Sequence, residues 1–122
     1  MITEDYVSFE IAKLLKEKGF NRYPLFPCYK EDNGEFIDIP TTLDTINYCF
    51  IPAPTLQMAM KWLREVHNTC ISVDVKIGGK KYYVCISNTE SGLSNGVLED
   101  EVWDTYEDAC EAAIKYCLEN LI

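Results

Sequence analysis

The sequence predicts an α+β fold, ordered helix, strands, helix, strands, helix, with a mostly antiparallel sheet and the helices on one face. Three observations predict it. Apolar residues recur at helical spacing in three segments, around Ile11, Ala59 and Ala113. Residues 70–77 alternate, with Ile71, Val73, Val75 and Ile77 facing one way and Ser72, Asp74 and Lys76 the other. Asn33-Gly34 and Gly78-Gly79 lie between apolar runs, where hairpin turns need residues that tolerate positive φ.

The first helix places Val7, Ile11, Leu14 and Leu15 on one face and Glu10, Lys13, Lys16 and Glu17 on the other. Thr3 is its expected cap, with Glu4 and Asp5 favourable in the first turn. Gly19 is expected at the left-handed C′ position, with Phe20 folding back on Leu15 in a Schellman motif. Residues 24–40 read as a hairpin. Phe26, Cys28 and Tyr29 precede its turn, Phe36, Ile37 and Ile39 follow it, and Asn33 and Gly34 are both expected at positive φ. Residues 41–45 read as a loop and 46–51 as a further strand, stopped by Pro52 and Pro54.

The second helix is expected from Thr55 to His67. Leu56, Ala59, Met60, Leu63 and Val66 form its buried stripe, and Met58 and Trp62 pair on the flank. Asn68 is its C′ residue. The alternating strand returns through Tyr82 to Ile86, and the polar stretch 88–96 is the expected mobile loop. Val102-Trp103 reads as a short edge strand. Thr105 caps the last helix with Asp108 three residues on, and Tyr106, Cys110, Ala113, Ile114, Cys117 and Leu121 form its apolar stripe. Thr55 and Thr105 are each followed by an apolar residue and, four positions on, by Ala. Residues 24–68 and 69–122 therefore read as two copies of a hairpin–helix unit within one domain of 122 residues.

Composition narrows the function classes. No run approaches the roughly 18 apolar residues of a membrane span. The start, Met1-Ile2-Thr3-Glu4-Asp5, is acidic and unlike a signal peptide, so a cytoplasmic setting is expected. The six cysteines, Cys28, Cys49, Cys70, Cys85, Cys110 and Cys117, contain no C-x-x-C pair and read as reduced thiols, most of them in apolar patterns. The net charge is −9, and residues 69–122 hold 10 acids against 4 bases. Such a surface repels phosphate backbones and disfavours nucleic acid. Lys80-Lys81 follows a hairpin turn, where lysines keep a strand edge soluble.

Two stretches, Ile51-Pro-Ala-Pro-Thr-Leu-Gln-Met-Ala-Met-Lys-Trp-Leu-Arg-Glu-Val-His-Asn68 and Thr105-Tyr-Glu-Asp-Ala-Cys-Glu-Ala-Ala-Ile-Lys-Tyr-Cys-Leu-Glu-Asn-Leu-Ile122, with Leu14 to Phe20, resemble a family of small uncharacterised proteins from gut Bacteroides and their phages or prophages. The resemblance covers about half the chain and rests on caps and core stripes. It implies a bacterial or viral intracellular setting and an accessory role, and it transfers no functional residue.

Catalytic signals are sparse. His67, the only histidine, ends a helix three residues before Cys70, but a Cys–His dyad needs spatial alignment that this spacing does not supply. No ligand spacing supports a metal. The 20 acids leave a carboxylate pair open as an alternative, since that chemistry depends on a separation set by the fold. Gly78-Gly79 opens no helix and is followed by no Gly-Lys-Ser/Thr sequence, so it is no phosphate loop. No catalytic, cofactor or metal residue is therefore assigned.

The interaction signals are stronger. Seven carboxylates fall between residues 99 and 111 with no base among them. Asp104, Glu107 and Asp108 suit a helix N-terminus, whereas Glu99-Asp100-Glu101 is not explained that way. The run lacks the alternating ligands and central glycine of a calcium loop. Eight tyrosines exceed what one small core buries, and Tyr82 and Tyr83 must face opposite sides of a strand. The expected contact residues are Glu99, Asp100, Glu101, Trp103, Tyr82 and Tyr83. They point to a non-enzymatic module that meets a protein partner or forms a homodimer through an open face or edge. A small-ligand domain, or an enzyme using carboxylates or the Cys–His pair, is the alternative.

Overall fold

The computed structural model describes residues 4–20, 27–38 and 50–122. The fold is α+β, with three helices and two antiparallel sheets among the described residues. The chain divides into two compact units, Met1–Thr55 and Leu56–Ile122. The expected single sheet is thus two: a three-stranded one in the first unit and a two-stranded one in the second.

In the first unit, helix α1 spans Phe9–Glu17. Its cap is Ser8, whose hydroxyl accepts the N–H of Ile11 at 3.3 Å. The expected Thr3 cap lies outside the described residues, and the helix begins later than the apolar spacing suggests. Val7, expected on the helical stripe, is buried on extended backbone instead, with its N–H donating to the carbonyl of Pro54 at 3.0 Å. Tyr6 bridges Thr55 beside it. A serine that satisfies a free helix donor outweighs one more apolar residue in register. The C-terminal end is the expected Schellman motif. Gly19 has φ +98°, the N–H of Phe20 donates to Leu15 at 2.9 Å, and that of Gly19 donates to Lys16 at 3.1 Å.

Strands β1 (Cys28–Lys30), β2 (Phe36–Ile37) and β3 (Phe50–Pro52) form an antiparallel sheet in the order β2-β1-β3. Cys28 pairs with Ile37 on one side and Pro52 on the other. Pro52 is tolerated because, among the described residues, β3 stands at the edge of the sheet. The rest of the strand expected over 46–51 lies outside the described residues. The first turn differs from expectation. Lys30 and Glu35 close a four-residue loop, and only Gly34 takes a positive φ, +74°. Asn33 contributes through its side chain, which accepts the N–H of Glu35 at 2.9 Å. A Cβ at Gly34 would meet the Phe9 ring at 2.8 Å, so close approach reinforces the choice of glycine.

The second unit contains α2 (Leu56–His67), β4 (Thr69–Val75), β5 (Tyr82–Asn88) and α3 (Tyr106–Tyr116), which widens into a π-type turn over Cys117–Leu121. Asn68 ends α2 at φ +54°, as expected of a C′ residue. Thr105 caps α3, its hydroxyl accepting the N–H of Asp108 at 3.0 Å. In the β4–β5 register Ile71 faces Ile86, Val73 faces Val84 and Val75 faces Tyr82. Paired residues share a face, so this set lies under the helices, where Ile71, Val84 and Ile86 are buried. Leu56, Ala59, Met60 and Leu63 of α2 and Ala109, Cys110, Ala113 and Ile114 of α3 are buried with them.

Several apolar residues escape their expected burial. Val66, placed on the α2 stripe by its spacing, is 56% exposed. At about 100° per residue it lies about 70° from the centre of the stripe formed by Leu56, Ala59, Met60 and Leu63, on its flank in the last turn of α2. Along β4 burial fades outward from Ile71. Val73 is half-buried and Val75 exposed, while Ile77 stands on the turn, fully exposed. The turn itself uses Gly78, Gly79 and Lys80, all at positive φ.

Candidate functional site

The N–H of Lys76 donates to the carbonyl of Lys81 at 2.8 Å, which sets the phase of the hairpin ladder. With that phase, the backbone groups of Tyr82, Val84, Ile86 and Asn88 point away from β4. Those of Tyr82 and one each of Ile86 and Asn88 are met by residues 93–103. Tyr82 and Trp103 exchange two backbone hydrogen bonds, 2.8 and 2.9 Å. The N–H of Asn95 donates to Ile86, and the N–H of Asn88 donates to Leu93, each at 3.0 Å. The edge strand expected at Val102-Trp103 is therefore a single bridge, aligned on Tyr82.

Stretch 88–96 is organised by its short polar side chains. The Asn88 carboxamide oxygen accepts the N–H groups of Glu90 and Ser91 at 2.9 and 3.0 Å. Ser91 and Ser94 hydroxyls accept from Leu93 and Gly96, and Asn95 accepts from Val97. Asn68 ties this stretch to the end of α2, donating to the Glu90 carboxylate and accepting from the Thr89 hydroxyl.

The Tyr82–Trp103 bridge brings together part of the expected contact set. The Tyr82 ring meets the Tyr106 ring edge to face at a centroid distance of 6.2 Å. The Gln57 amide donates to the Tyr106 hydroxyl at 3.1 Å. Lys81 pairs with Asp104. Gln57 pulls the Tyr106 hydroxyl pKa down, but burial and the nearby Cys110 and Glu107 raise it, and the net direction is upward. Glu99, Asp100 and Glu101 precede the bridge, all exposed, and among the described residues none has an ion-pair partner. Tyr83 stands apart: it pairs with Asp74 on the opposite face, where the Lys76 ammonium lies 5.1 Å from its ring centroid. Helical spacing places Tyr106 on the apolar stripe. Its role beside Tyr82 depends on a contact across 24 positions that helical periodicity does not encode.

His67 lies at a recess. A recess of about 260 Å³ is lined by His67, Thr69, Ser87, Asn88, Leu93, Asn95 and Leu121. Neither a carboxylate nor Cys70 is among these lining residues, so His67 meets no acid or thiol there. The His67 ring packs edge-on against Trp62 at 4.6 Å, and its buried Nε2 has no oxygen or nitrogen partner. Among the described residues no group of three His, Cys, Asp or Glu side chains is placed to hold a metal ion. Cys70, Cys85, Cys110 and Cys117 are free thiols. Burial pushes Cys110 up to about 11 and Cys117 up to about 12, which keeps both protonated and unreactive near neutral pH.

Among the described residues no helix is long and apolar enough to cross a membrane. No family model, curated protein or solved structure matches this chain.

Proposed function

We propose that this chain is a small, acidic, non-enzymatic protein-interaction module. Its contact strip is the outer edge of β5, formed by Trp103, Tyr82 and the Glu99-Asp100-Glu101 run. The observation that supports the reading is the two-way Tyr82–Trp103 pairing, which fixes to β5 the residue two positions after the Glu99-Asp100-Glu101 run, whose carboxylates are exposed and among the described residues have no ion-pair partner. Aromatic anchors beside a charged rim suit a partner with a basic, apolar-centred surface. With the resemblance to proteins of Bacteroides phages and prophages, the reading extends to an accessory protein that acts on a basic host protein in the cytoplasm.

The test is affinity capture from nuclease-treated Bacteroides lysate on three baits: wild type, Trp103→Ala, and the triple variant Glu99→Gln/Asp100→Asn/Glu101→Gln. The expected result is one basic protein retained by the wild type, released by raised salt and lost from both variants. Identical capture on all three baits, or none on the wild type, would sink the proposal.

The recess favours a second reading, a site for a small uncharged molecule, because its lining mixes hydroxyl and carboxamide groups with Leu93 and Leu121. Its size limits it to a fragment-sized ligand. A ligand-observed NMR screen with wild type and Asn95→Leu tests this, since a true occupant binds the first and not the second.

A further inference from the structure

The outer edge of β4 is open. The ladder phase that turns Tyr82, Val84 and Ile86 outward on β5 turns Ile71, Val73 and Val75 outward on β4. Among the described residues, the backbone N–H and C=O groups these three direct away from β5 have no hydrogen-bond partner. The same end of the hairpin carries apolar surface, with Val75 at 53% exposure and Ile77 at 105%. An unpaired edge with exposed branched side chains is a template for another strand.

We propose that a second copy of this chain occupies that edge, β4 against β4, antiparallel about a two-fold axis at Val75. Antiparallel pairing of outward residues allows only registers that match odd positions with odd positions. An axis at Asp74 would set two carboxylates opposite each other. An axis at Val73 would set Ile77 opposite the polar Thr69 and Lys76 opposite Cys70. An axis at Val75 does neither. It sets Asp74 opposite Lys76 of the second copy, twice, on one face. On the other it lays Val75 on Val75 and Val73 on Ile77 of the second copy. The charges complement each other and the two most exposed apolar side chains of the hairpin become covered. The contact is isologous, and β5 already has Trp103, Leu93 and Asn95 on its outer edge, so association closes at two copies. The contact is small, which sets a weak, concentration-dependent dimer.

Sedimentation velocity on the full chain from about 10 μM to about 1 mM tests this, a span that brackets a weak dimer. Wild type is expected to pass reversibly from monomer to dimer. Val73→Pro is expected to stay monomeric, because among the described residues the Val73 N–H has no acceptor and a proline there removes only the bond between copies. Asp74→Lys weakens the dimer roughly tenfold by opposing like charges, and adding Lys76→Asp restores it. A wild type that remains monomeric throughout overturns the proposal, as does a Val73→Pro variant that dimerises like wild type or a charge exchange that restores nothing. If Val73→Pro does not fold, amide exchange on wild type decides. The amides of Val73 and Val75 must exchange more slowly as concentration rises, and concentration-independent exchange at both overturns the proposal. The Glu99→Gln/Asp100→Asn/Glu101→Gln variant is expected to dimerise normally, so loss of partner capture and loss of dimer are separate outcomes.

Discussion

The two strands of the second hairpin have the same length and similar composition, yet their outer edges differ. On β5, Trp103, Leu93 and Asn95 complete the ladder for Tyr82, Asn88 and Ile86. On β4, Ile71, Val73 and Val75 keep their outward groups unmet among the described residues. The difference comes from the chain segments adjoining each strand. After β5 the sequence supplies asparagines and serines that bend the backbone back on the strand, whereas β4 is preceded directly by the end of α2. A strand's own residues thus do not decide whether its edge is closed. The covered edge positions an acidic strip, and the open one leaves a place for a second strand.

The largest expected effect contrasts the buried and exposed halves of that hairpin. Ile86 is fully buried on β5 and Val75 is exposed on β4. Ile86→Ala should cost about 2–5 kcal/mol through lost transfer energy and the cavity left behind. Val75→Ala should stay within about 0.5 kcal/mol in dilute monomer. Urea unfolding of both variants checks this. Similar losses at the two positions would show that Val75 is buried in solution and that the open-edge description fails.

The next contrast separates thiols by face. Cys110 and Cys117 lie in the buried helical segment with pKa values pushed up to about 11 and about 12, whereas Cys70 and Cys85 are half-buried on the opposite face of the hairpin. A folded-state pKa raised above the unfolded value stabilises the fold fully below the unfolded pKa, near 9, and that stability is lost as pH rises through the folded values. Between pH 9 and 10 the two buried thiols together should remove about 2 kcal/mol. Chemical denaturation at several pH values reads the slope. At pH 8, alkylation with iodoacetamide should reach Cys70 and Cys85 before Cys110 and Cys117, as peptide mapping would show.

These contrasts also mark what is legible in the sequence. Caps and turns are local, so Thr105, Gly19, Asn68 and Gly78-Gly79 fall where short-range rules place them. The α+β order is legible for the same reason, since helix and strand periodicities need only a dozen residues. Three features needed the fold. Val7 belongs to a bridge with Pro54, so its apolar spacing with Ile11 misassigns it to the helix. Asn33 acts through its side chain because the loop closes at Lys30 and Glu35, a length the dipeptide does not reveal. Tyr82 and Tyr83 separate by strand alternation, which is legible, but the partner of each is not: Tyr106 lies 24 positions beyond Tyr82, and Lys76 crosses to Tyr83 over a turn.

A smaller effect tests how firmly the β5 edge is sealed. Removing the Asn88 side chain deprives the N–H groups of Glu90 and Ser91 of their acceptor. Asn88→Ala should cost about 1 kcal/mol, because both donors can turn to water. Amide exchange of Gly92, which donates to the Asn88 carbonyl, should accelerate, and so should that of Asn95, which donates to Ile86. Faster exchange at Gly92 alone would mean that the turn and the edge pairing open independently.

The finest contrast lies between the helix cap and the edge bridge two residues before it. Thr105 accepts the N–H of Asp108, and Trp103 pairs with Tyr82. Thr105→Ala should lower stability by about 1 kcal/mol, and Thr105→Ser should recover it, since serine offers the same acceptor. That energy corresponds to about a fivefold faster opening of the first turn of α3 if the loss stays local. Asp104, between the two features, is held by Lys81 on the β5 side. This pair ties the incoming chain to the strand without help from the cap, so the Trp103 amide should exchange at its wild-type rate in Thr105→Ala. Equal acceleration at Asp108 and Trp103 would instead join cap and bridge into one cooperative unit. The acidic strip would then depend on the helix start for its position, and Thr105→Ala would weaken partner capture as strongly as Trp103→Ala.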